Sequence, residues 1–207
     1  MNVEIRNGEP EAGSASSGTG ATLKRGEKQQ AAYARLKEMI VLQELPPGML
    51  LSEVGLSRRL GIGKTPIRAA LQRLSLEGLV TVLPQRGVLV THIDVAIQLK
   101  LLEVRGELER LLTRGAASRA TARQRTEMVA LAESLGAAAA TSDGRGFMNL
   151  LAATHALLAE AADNEILDNV MSQVFGLSRR FWFANYEKYG SLHRAAVLHG
   201  NRLRAVA

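Results

Sequence analysis

The chain has 207 residues, of which 46% are hydrophobic, and it contains no cysteine. Because no apolar run approaches the ~20 residues needed to cross a bilayer, the composition excludes a membrane-spanning protein, and the missing cysteines exclude disulfides, thiolate catalysis and sulfur-ligated zinc. The net charge is +6, and the excess is concentrated between residues 24 and 90, where eleven bases face five acids, as a phosphate-binding surface requires.

The first 28 residues are rich in glycine, serine, alanine and glutamate, and their apolar residues show no periodicity. This composition predicts a disordered tail. The same segment lacks the basic start and apolar stretch of a secretory signal, so we expect a cytoplasmic protein.

Three helices are predicted after the tail. Apolar residues at three- and four-residue steps indicate the first helix, from about Gln29 to Gln43. Ser52 is a good N-cap for a short second helix, which ends at Gly61. Thr65 followed by Pro66 predicts the start of the third, because threonine can cap and proline gives up an amide that would be unpaired.

The pattern then changes to two short β-type runs, at residues 79–83 and 88–91. The turn residues Pro84-Gln85-Arg86-Gly87 separate them, which predicts a hairpin. Residues 29–91 are therefore predicted to form a winged helix-turn-helix of three helices and a β-hairpin wing.

Beyond Thr91 the periodicity is helical throughout, so residues 92–207 are predicted to form an all-α bundle, and the protein as a whole is mainly α. The predicted helices run from the cap Asp94 to Arg119, from the cap Thr121 to Ala139, from Phe147 to Ala162, from Asn164 or Glu165 to Lys188, and from the cap Ser191 to the end of the sequence.

The N-terminal residues of the third helix predict a surface that contacts DNA. In a helix-turn-helix these residues reach base edges in the major groove, while the preceding helix rests on the DNA backbone. The predicted contacts are Lys64, Thr65, Arg68 and Gln72 on the third helix, with Arg58 on the second. The alternative is a solvated basic helix without a nucleic-acid partner.

The run LPPGMLLSEVGLSRRLGIGKTPIRAALQRLSLEGLVTVLPQRGVLVT, residues 45–91, resembles the GntR-family winged helix. The resemblance implies that Lys64, Thr65 and Arg68 contact DNA in the major groove. It also implies that Arg86 and Gly87, at the wing tip, meet the minor groove or the backbone.

Two residues depart from the family pattern. Lys64 stands where many relatives have arginine, and Ala69 where many have glutamate. Because lysine is a flexible point charge and arginine can hold guanine with two parallel bonds, we expect Lys64 to read a different base or a phosphate.

The segment from residue 92 is similar to the FCD effector domain of the FadR-like branch, with Leu101-Leu102-Glu103-Val104-Arg105 in its first helix. Relatives sense small organic acids there, and many bind a divalent metal such as zinc through one aspartate and three histidines. His155 and His199 match two of these histidines. Leu151 stands at the aspartate position, and the helix that would bring the third histidine is missing from the sequence. The alternative is that both histidines line a cavity or the core as neutral residues.

Three further features of the bundle carry predictions. Arg105 is either an anchor for a carboxylate effector or a partner of Glu109 one turn later. The aromatic segment 179–186 is interpreted as bundle core or dimer seam rather than as a ligand site, and His193 as a surface residue.

The sequence thus predicts a homodimer that binds double-stranded DNA at an inverted repeat and responds to a small-molecule effector, with repressor or activator left open. A truncated regulator that binds DNA without sensing is the second hypothesis. A small helical hydrolase using His155 and His199 is the third, although the short catalytic signatures are absent.

Overall fold

The computed structural model describes residues 25–189 and 191–207. Within these ranges the chain forms eight helices and three short strands. The first part comprises α1 (Arg25–Val41), β1 (Leu50–Leu51), α2 (Glu53–Leu60), α3 (Lys64–Leu76), β2 (Val80–Leu83) and β3 (Gly87–Val90). The second comprises α4 (Val95–Arg119), α5 (Ala122–Ala140), α6 (Gly144–Ala162), α7 (Glu165–Tyr189) and α8 (Leu192–Val206). Most of the predicted tail, residues 1–24, lies outside the described residues, and α1 begins at Arg25 rather than near Gln29.

The winged helix-turn-helix forms as predicted, and its turns follow from local chemistry. The Ser52 side chain accepts a hydrogen bond from the Gly55 amide at the start of α2. Gly61 ends α2 in the left-handed conformation, at φ 65°, which glycine adopts without steric cost. Apolar side chains of α1, α2, α3 and the strands then share one core around Leu36, Ile67 and Leu74.

The wing is the antiparallel pair β2 and β3, in which Val80 faces Val90 and Leu83 faces Gly87. The strand β1 pairs with the other side of β3, so the strand order is β1-β3-β2. Sequence analysis missed β1, because two residues are too few to show an alternating pattern.

The five remaining helices form the predicted bundle. Asp94, Thr121 and Ser191 cap α4, α5 and α8 as expected, and Thr121 completes a capping box with Gln124. The start of α6 was predicted too late, since Asp143 caps it and it begins at Gly144. The helices enclose a core that includes Leu112, Phe147 and Met171. No helix in the described ranges is long and apolar enough to span a membrane.

The two cores meet along α1 and α7, which pack against each other. Val41 and Leu42, at the end of α1, are buried in the bundle core, whereas Leu177 of α7 packs against the winged-helix core. Lys37 of α1 also donates a hydrogen bond to the Ser172 carbonyl oxygen of α7, at 2.7 Å. The winged helix therefore sits on the bundle through shared apolar and polar contacts.

Candidate DNA-binding surface and effector cavity

The outer face of α3 carries the four side chains predicted to reach DNA. Lys64, Thr65, Arg68 and Gln72 are all exposed. The opposite face is buried, through Ile67, Ala70, Leu71 and Leu74. Because 64, 68 and 72 are each one helical turn apart, their side chains form one polar stripe that a groove could receive.

The start of α3 differs from the sequence prediction. The helix begins at Lys64, with Gly63 at the N-cap position and no side-chain hydrogen bond to the cap. Thr65 is therefore not the cap, and Pro66 is the third residue of the helix. Its missing amide still costs nothing there, since the first-turn amides of a helix have no partner within the helix. The uncapped amides of this turn remain open to a phosphate.

Arg68 is held in place by a residue that sequence analysis did not assign to the site. Glu53 of α2 accepts hydrogen bonds from Arg68 Nε at 2.9 Å and from Nη2 at 2.7 Å. The Arg68 guanidinium holds the pKa of Glu53 below its usual value. This two-bond pair fixes the plane of the guanidinium while 63% of the side chain stays exposed, so Arg68 is oriented in advance for a partner.

The tip of the wing presents Arg86, whose side chain is exposed between Gln85, in a left-handed conformation, and Gly87. Gly87 has φ 110°, and a Cβ there would lie 2.7 Å from the Leu51 carbonyl oxygen. Glycine at this position is therefore required by the sheet itself. Arg58, on α2, is exposed as well.

A cavity of about 210 Å³ lies within the bundle. Its lining combines aromatic and apolar side chains with a few polar ones. The lining residues are Gln98, Leu102, Arg105, Leu151, Phe175, Ser178, Arg179, Phe181, Trp182, Ala195 and His199. Of the three predicted effector residues, the structure thus brings Arg105 and His199 to the cavity wall.

Arg105 forms the pair with Glu109 that the sequence offered as one alternative, and it also lies in the cavity wall. Its Nε and Nη2 donate to Glu109 Oε1 at 2.8 and 2.6 Å, and its Nη1 donates to Ser178 Oγ. Glu109 also pairs with Arg202, at 3.2 Å. Burial alone would raise the pKa of Glu109, but the charges of Arg105 and Arg202 outweigh it and lower that pKa. Two guanidinium groups therefore share one carboxylate beside the cavity, which leaves one positive charge in excess.

His155 is buried and stacks on Phe175, with ring centroids 4.3 Å apart, but it is not part of the cavity lining. His199 lines the cavity, and its Nδ1 lies 3.4 Å from Arg202 Nη2. Burial, followed by the charge of Arg202, lowers the pKa of each histidine to about 4. Both imidazoles are therefore neutral near pH 7. The surface position predicted for His193 is confirmed.

The donors around these histidines do not fit the divalent metal that the family resemblance implied. The described residues contain no group of three or more histidine, cysteine or acidic side chains placed to hold an ion. Leu151 supplies no oxygen, and Glu109 is already engaged by two arginines. A cation near His155 and His199 would also face the charges of Arg105 and Arg202, whereas a metal cavity needs at least three protein ligands.

Comparison with known proteins decides the family. The profile of bacterial regulatory proteins of the gntR family matches residues 28–90, and the FCD domain matches residues 100–207, which is more than half of the chain. The chain is a GntR-family transcription regulator with an FCD domain. Membership of this family of bacterial regulatory proteins favours a DNA-binding regulator over an enzyme.

Individual relatives of this GntR-family protein agree over part of its length. A 64-residue segment, 31% of the chain, is 42% identical to an HTH-type transcriptional regulator in an unstable DNA locus of Streptomyces ambofaciens. A 95-residue segment, 46% of the chain, is 35% identical to the HTH-type transcriptional repressor RspR of Escherichia coli K12. These segments span 27% and 42% of the two relatives, less than half of either.

The solved structure of E. coli McbR/YncC has the same fold as this regulator. It superimposes with a TM-score of 0.74 over 86% of the chain and 85% of its own length, at 21% sequence identity. Since that structure contains both parts, its likeness extends to the winged helix and the FCD bundle together.

The aromatic segment of the regulator has a wider role than the core or seam favoured from sequence. Trp182 and Phe183 do pack against the bundle core, and Trp182 lies 5.6 Å from the Phe147 ring centroid. Phe181 and Trp182 also line the cavity. Only the run of two arginines followed by three aromatic residues at 179–183 could have indicated this, and such runs occur in ordinary cores as well.

Proposed function

We propose that this regulator acts in the bacterial cytoplasm as a homodimer, with α3 of each subunit in the major groove of an inverted-repeat operator. The winged helix, to about residue 91, binds the DNA, and the bundle from about residue 92 binds an effector that alters this binding. The observation that carries the proposal is the exposed stripe of Lys64, Arg68 and Gln72 on a fully packed helix-turn-helix.

The wing supports the same placement. Arg86 is exposed at its tip, where it is available to a phosphate or to the minor groove, and Gly87 fixes the turn that presents it. Thr65, on α3, and Arg58, on α2, are exposed polar side chains suited to backbone contacts. In this arrangement, Lys64, Arg68 and Gln72 contact the base edges in the major groove.

A second subunit is supported by the surface of α4. Six large apolar side chains on this helix are between 45% and 60% exposed, which is unusual for a monomer surface. They are Val95, Ile97, Leu99, Leu102, Val104 and Leu111. At helical spacing, Val95, Leu99 and Leu102 share one flank of α4, and Ile97, Val104 and Leu111 share the other. An isologous dimer packed along α4 would cover side chains of both flanks.

The effector chemistry follows from the cavity. At about 210 Å³ the space is smaller than the 300–1,000 Å³ of typical ligand pockets, so it suits a small metabolite. Aromatic walls favour an apolar body, and the excess positive charge beside Arg105 favours one carboxylate. We therefore propose a small organic acid that binds without a metal. This cavity favours a sensing regulator over one that binds DNA without an effector.

The DNA assignment is tested by a mobility shift of the purified chain on its own upstream DNA, across a salt series and against unrelated DNA. We expect a specific complex that weakens steeply with salt, because phosphate contacts release counterions. Arg68→Ala should lower specific affinity about 10- to 100-fold, since a good base contact is worth about 1–3 kcal/mol. Lys64→Ala should weaken binding or relax the sequence preference.

Arg123→Ala provides the matched control. Like Arg68, Arg123 is about two-thirds exposed and paired with glutamate, but it lies on α5 of the bundle. Its substitution should leave DNA affinity unchanged. Equal affinity of the wild type and both α3 variants would overturn the contact assignment.

A further inference from the structure

The buried guanidinium of Arg180, in α7, has no acidic partner in the part of the chain that the structure describes. Only 2% of the residue is exposed. Its Nη1 donates to Thr91 Oγ1 at 2.8 Å, and its Nη2 donates to the Thr91 carbonyl oxygen, while its Nε has no acceptor. Burial lowers the pKa of Arg180 to about 10, so the group still carries its charge near pH 7.

The neighbouring Arg179 has the carboxylate partner that Arg180 lacks among the described residues. Arg179 is also buried, with 6% of the residue exposed, but its two Nη atoms each lie 3.1 Å from a Glu38 carboxylate oxygen. A buried charge without such a counter-charge is expensive, and natural proteins usually pair it or remove it. Among the described residues, Arg180 is therefore a buried cation whose hydrogen bonds go to Thr91 and not to a counter-charge.

A cavity beside Arg180 has room for such a counter-charge. It measures about 210 Å³ and lies where the winged helix joins the bundle. The connecting residues Thr91, His92 and Ile93 form one side, and Leu101 of α4 with Leu177 of α7 forms the apolar remainder. Arg180 itself belongs to the lining.

The other charges near this cavity limit the occupant. The α4 amides at its edge are already bonded to the Asp94 side chain, at 2.7 Å for the Ala96 amide. The N-terminus of α4 is thus not free to bind an anion, and the Asp94 carboxylate would repel a group with two negative charges. The lining thus holds the buried cation of Arg180 and the carboxylate of Asp94, which already accepts from α4 amides, in mostly apolar walls. Such a site matches at most a single negative charge, carried by a small apolar body.

We propose that the junction between the winged helix and the bundle is a second ligand site, which binds a small monocarboxylate through Arg180. The carboxylate accepts from Arg180 Nε, and the apolar part of the ligand lies against Leu101 and Leu177. This site is distinct from the effector cavity in the bundle, although Gln98 and Phe181 form part of both walls. A ligand here would stabilise the arrangement of the two domains.

The test is the thermal unfolding of the full chain in sodium butyrate, which replaces chloride at constant ionic strength. Butyramide, with the same size and no charge, serves as the matched ligand. We expect a saturable rise in Tm with butyrate, of about 3–6 °C at ten times Kd, and no such rise with butyramide.

Two variants locate the site. Arg180→Met should lose the response to butyrate, and Leu101→Phe, which fills the cavity but keeps the cation, should lose it as well. Arg105→Met, in the bundle cavity, should keep it. A response that survives both junction variants, one that disappears only in Arg105→Met, or equal effects of butyrate and butyramide would each overturn the proposal. The DNA-binding test does not depend on this result.

Discussion

The bundle buries two neutral imidazoles, and this burial makes the free energy of unfolding depend on pH. His155 is stacked on Phe175 with no hydrogen bond to its Nε2, and His199 lies against Arg202. Burial and the charge of Arg202 lower the pKa of both to about 4, whereas an unfolded histidine titrates near 6.5. Between these two values the unfolded chain binds protons that the folded chain does not, so stability falls as the pH falls.

We therefore expect the free energy of unfolding to be fully retained above about pH 6.5 and to decrease toward pH 4. The loss should reach up to about 1.4 kcal/mol per pH unit for each histidine. Urea denaturation at pH 7.5, 6.0 and 5.0 measures it. His155→Gln or His199→Gln should each reduce the slope, while His193→Gln, at an exposed position, should not. If the free energy of unfolding changed equally with pH in the wild type, His155→Gln and His199→Gln, folding would not lower the pKa of these histidines.

Among single side chains, those that act in pairs were the hardest to predict. Sequence spacing revealed Arg105 and Glu109 one turn apart, but it gave no sign that Glu53 orients Arg68 from 15 residues away. The same holds for Arg202, whose positive charge disfavours the metal ion expected beside the histidines. It lies on α8, whereas Arg105 lies on α4. Such contacts depend on how helices pack and not on local periodicity.

The helix α7 connects the cavity to the winged helix. It supplies Phe175, Ser178 and Trp182 to the cavity wall. Between them, Arg179 lines the same cavity and pairs with Glu38 of α1, and Arg180 bonds to Thr91. A shift of α7 on effector binding would therefore act directly on the DNA-binding domain.

Glu38→Gln tests the strength of this connection. The change leaves the Arg179 guanidinium, whose side chain is only 7% exposed, without its charged partner. We expect a loss of about 1–3 kcal/mol in the free energy of unfolding, because a buried charged donor keeps its desolvation cost when its partner is removed. Urea denaturation measures the change. Glu133→Gln, at an exposed position of α5, is the control and should be neutral.

Most elements were predictable because their ends carry explicit signals. Ser52, Asp94, Thr121 and Ser191 are side-chain caps, and each was identified from sequence. The start of α3 was predicted wrongly because the residue before Lys64 is glycine, which can begin a helix without any side-chain signal. The cavity and its shared carboxylate could not be predicted, since they arise where four helices meet.

For the molecule as a whole, the exposed apolar surface of α4 is the feature that supports the proposed dimer. Leu99 and Val104 are 59% and 55% exposed, and the polar stripe of α3 lies on a different element. A dimer through α4 would bury this surface and leave two copies of α3 free to contact successive half-sites.

We expect Leu99→Glu and Val104→Glu to shift the protein toward the monomer, because each places a charge inside the proposed interface. Light scattering coupled to size-exclusion chromatography would show the change in mass. Ile166→Glu, at a 69% exposed apolar residue of α7, is the control and should keep the wild-type mass. A wild-type protein that is monomeric at all concentrations would contradict the dimer, as would variants that remain fully dimeric.

Each of the two cores includes side chains from the other domain, and this limits how chimeras of this regulator can be made. Val41 and Leu42 belong to the winged-helix segment but are buried in the bundle core, whereas Leu177 of the bundle packs against the winged-helix core. A chimera joined between Thr91 and Asp94 would unite a foreign α1 with this α7, and both cores would contain mismatched side chains. A functional exchange of DNA-binding domains must therefore exchange positions 41, 42 and 177 together, so that each core keeps its matched side chains.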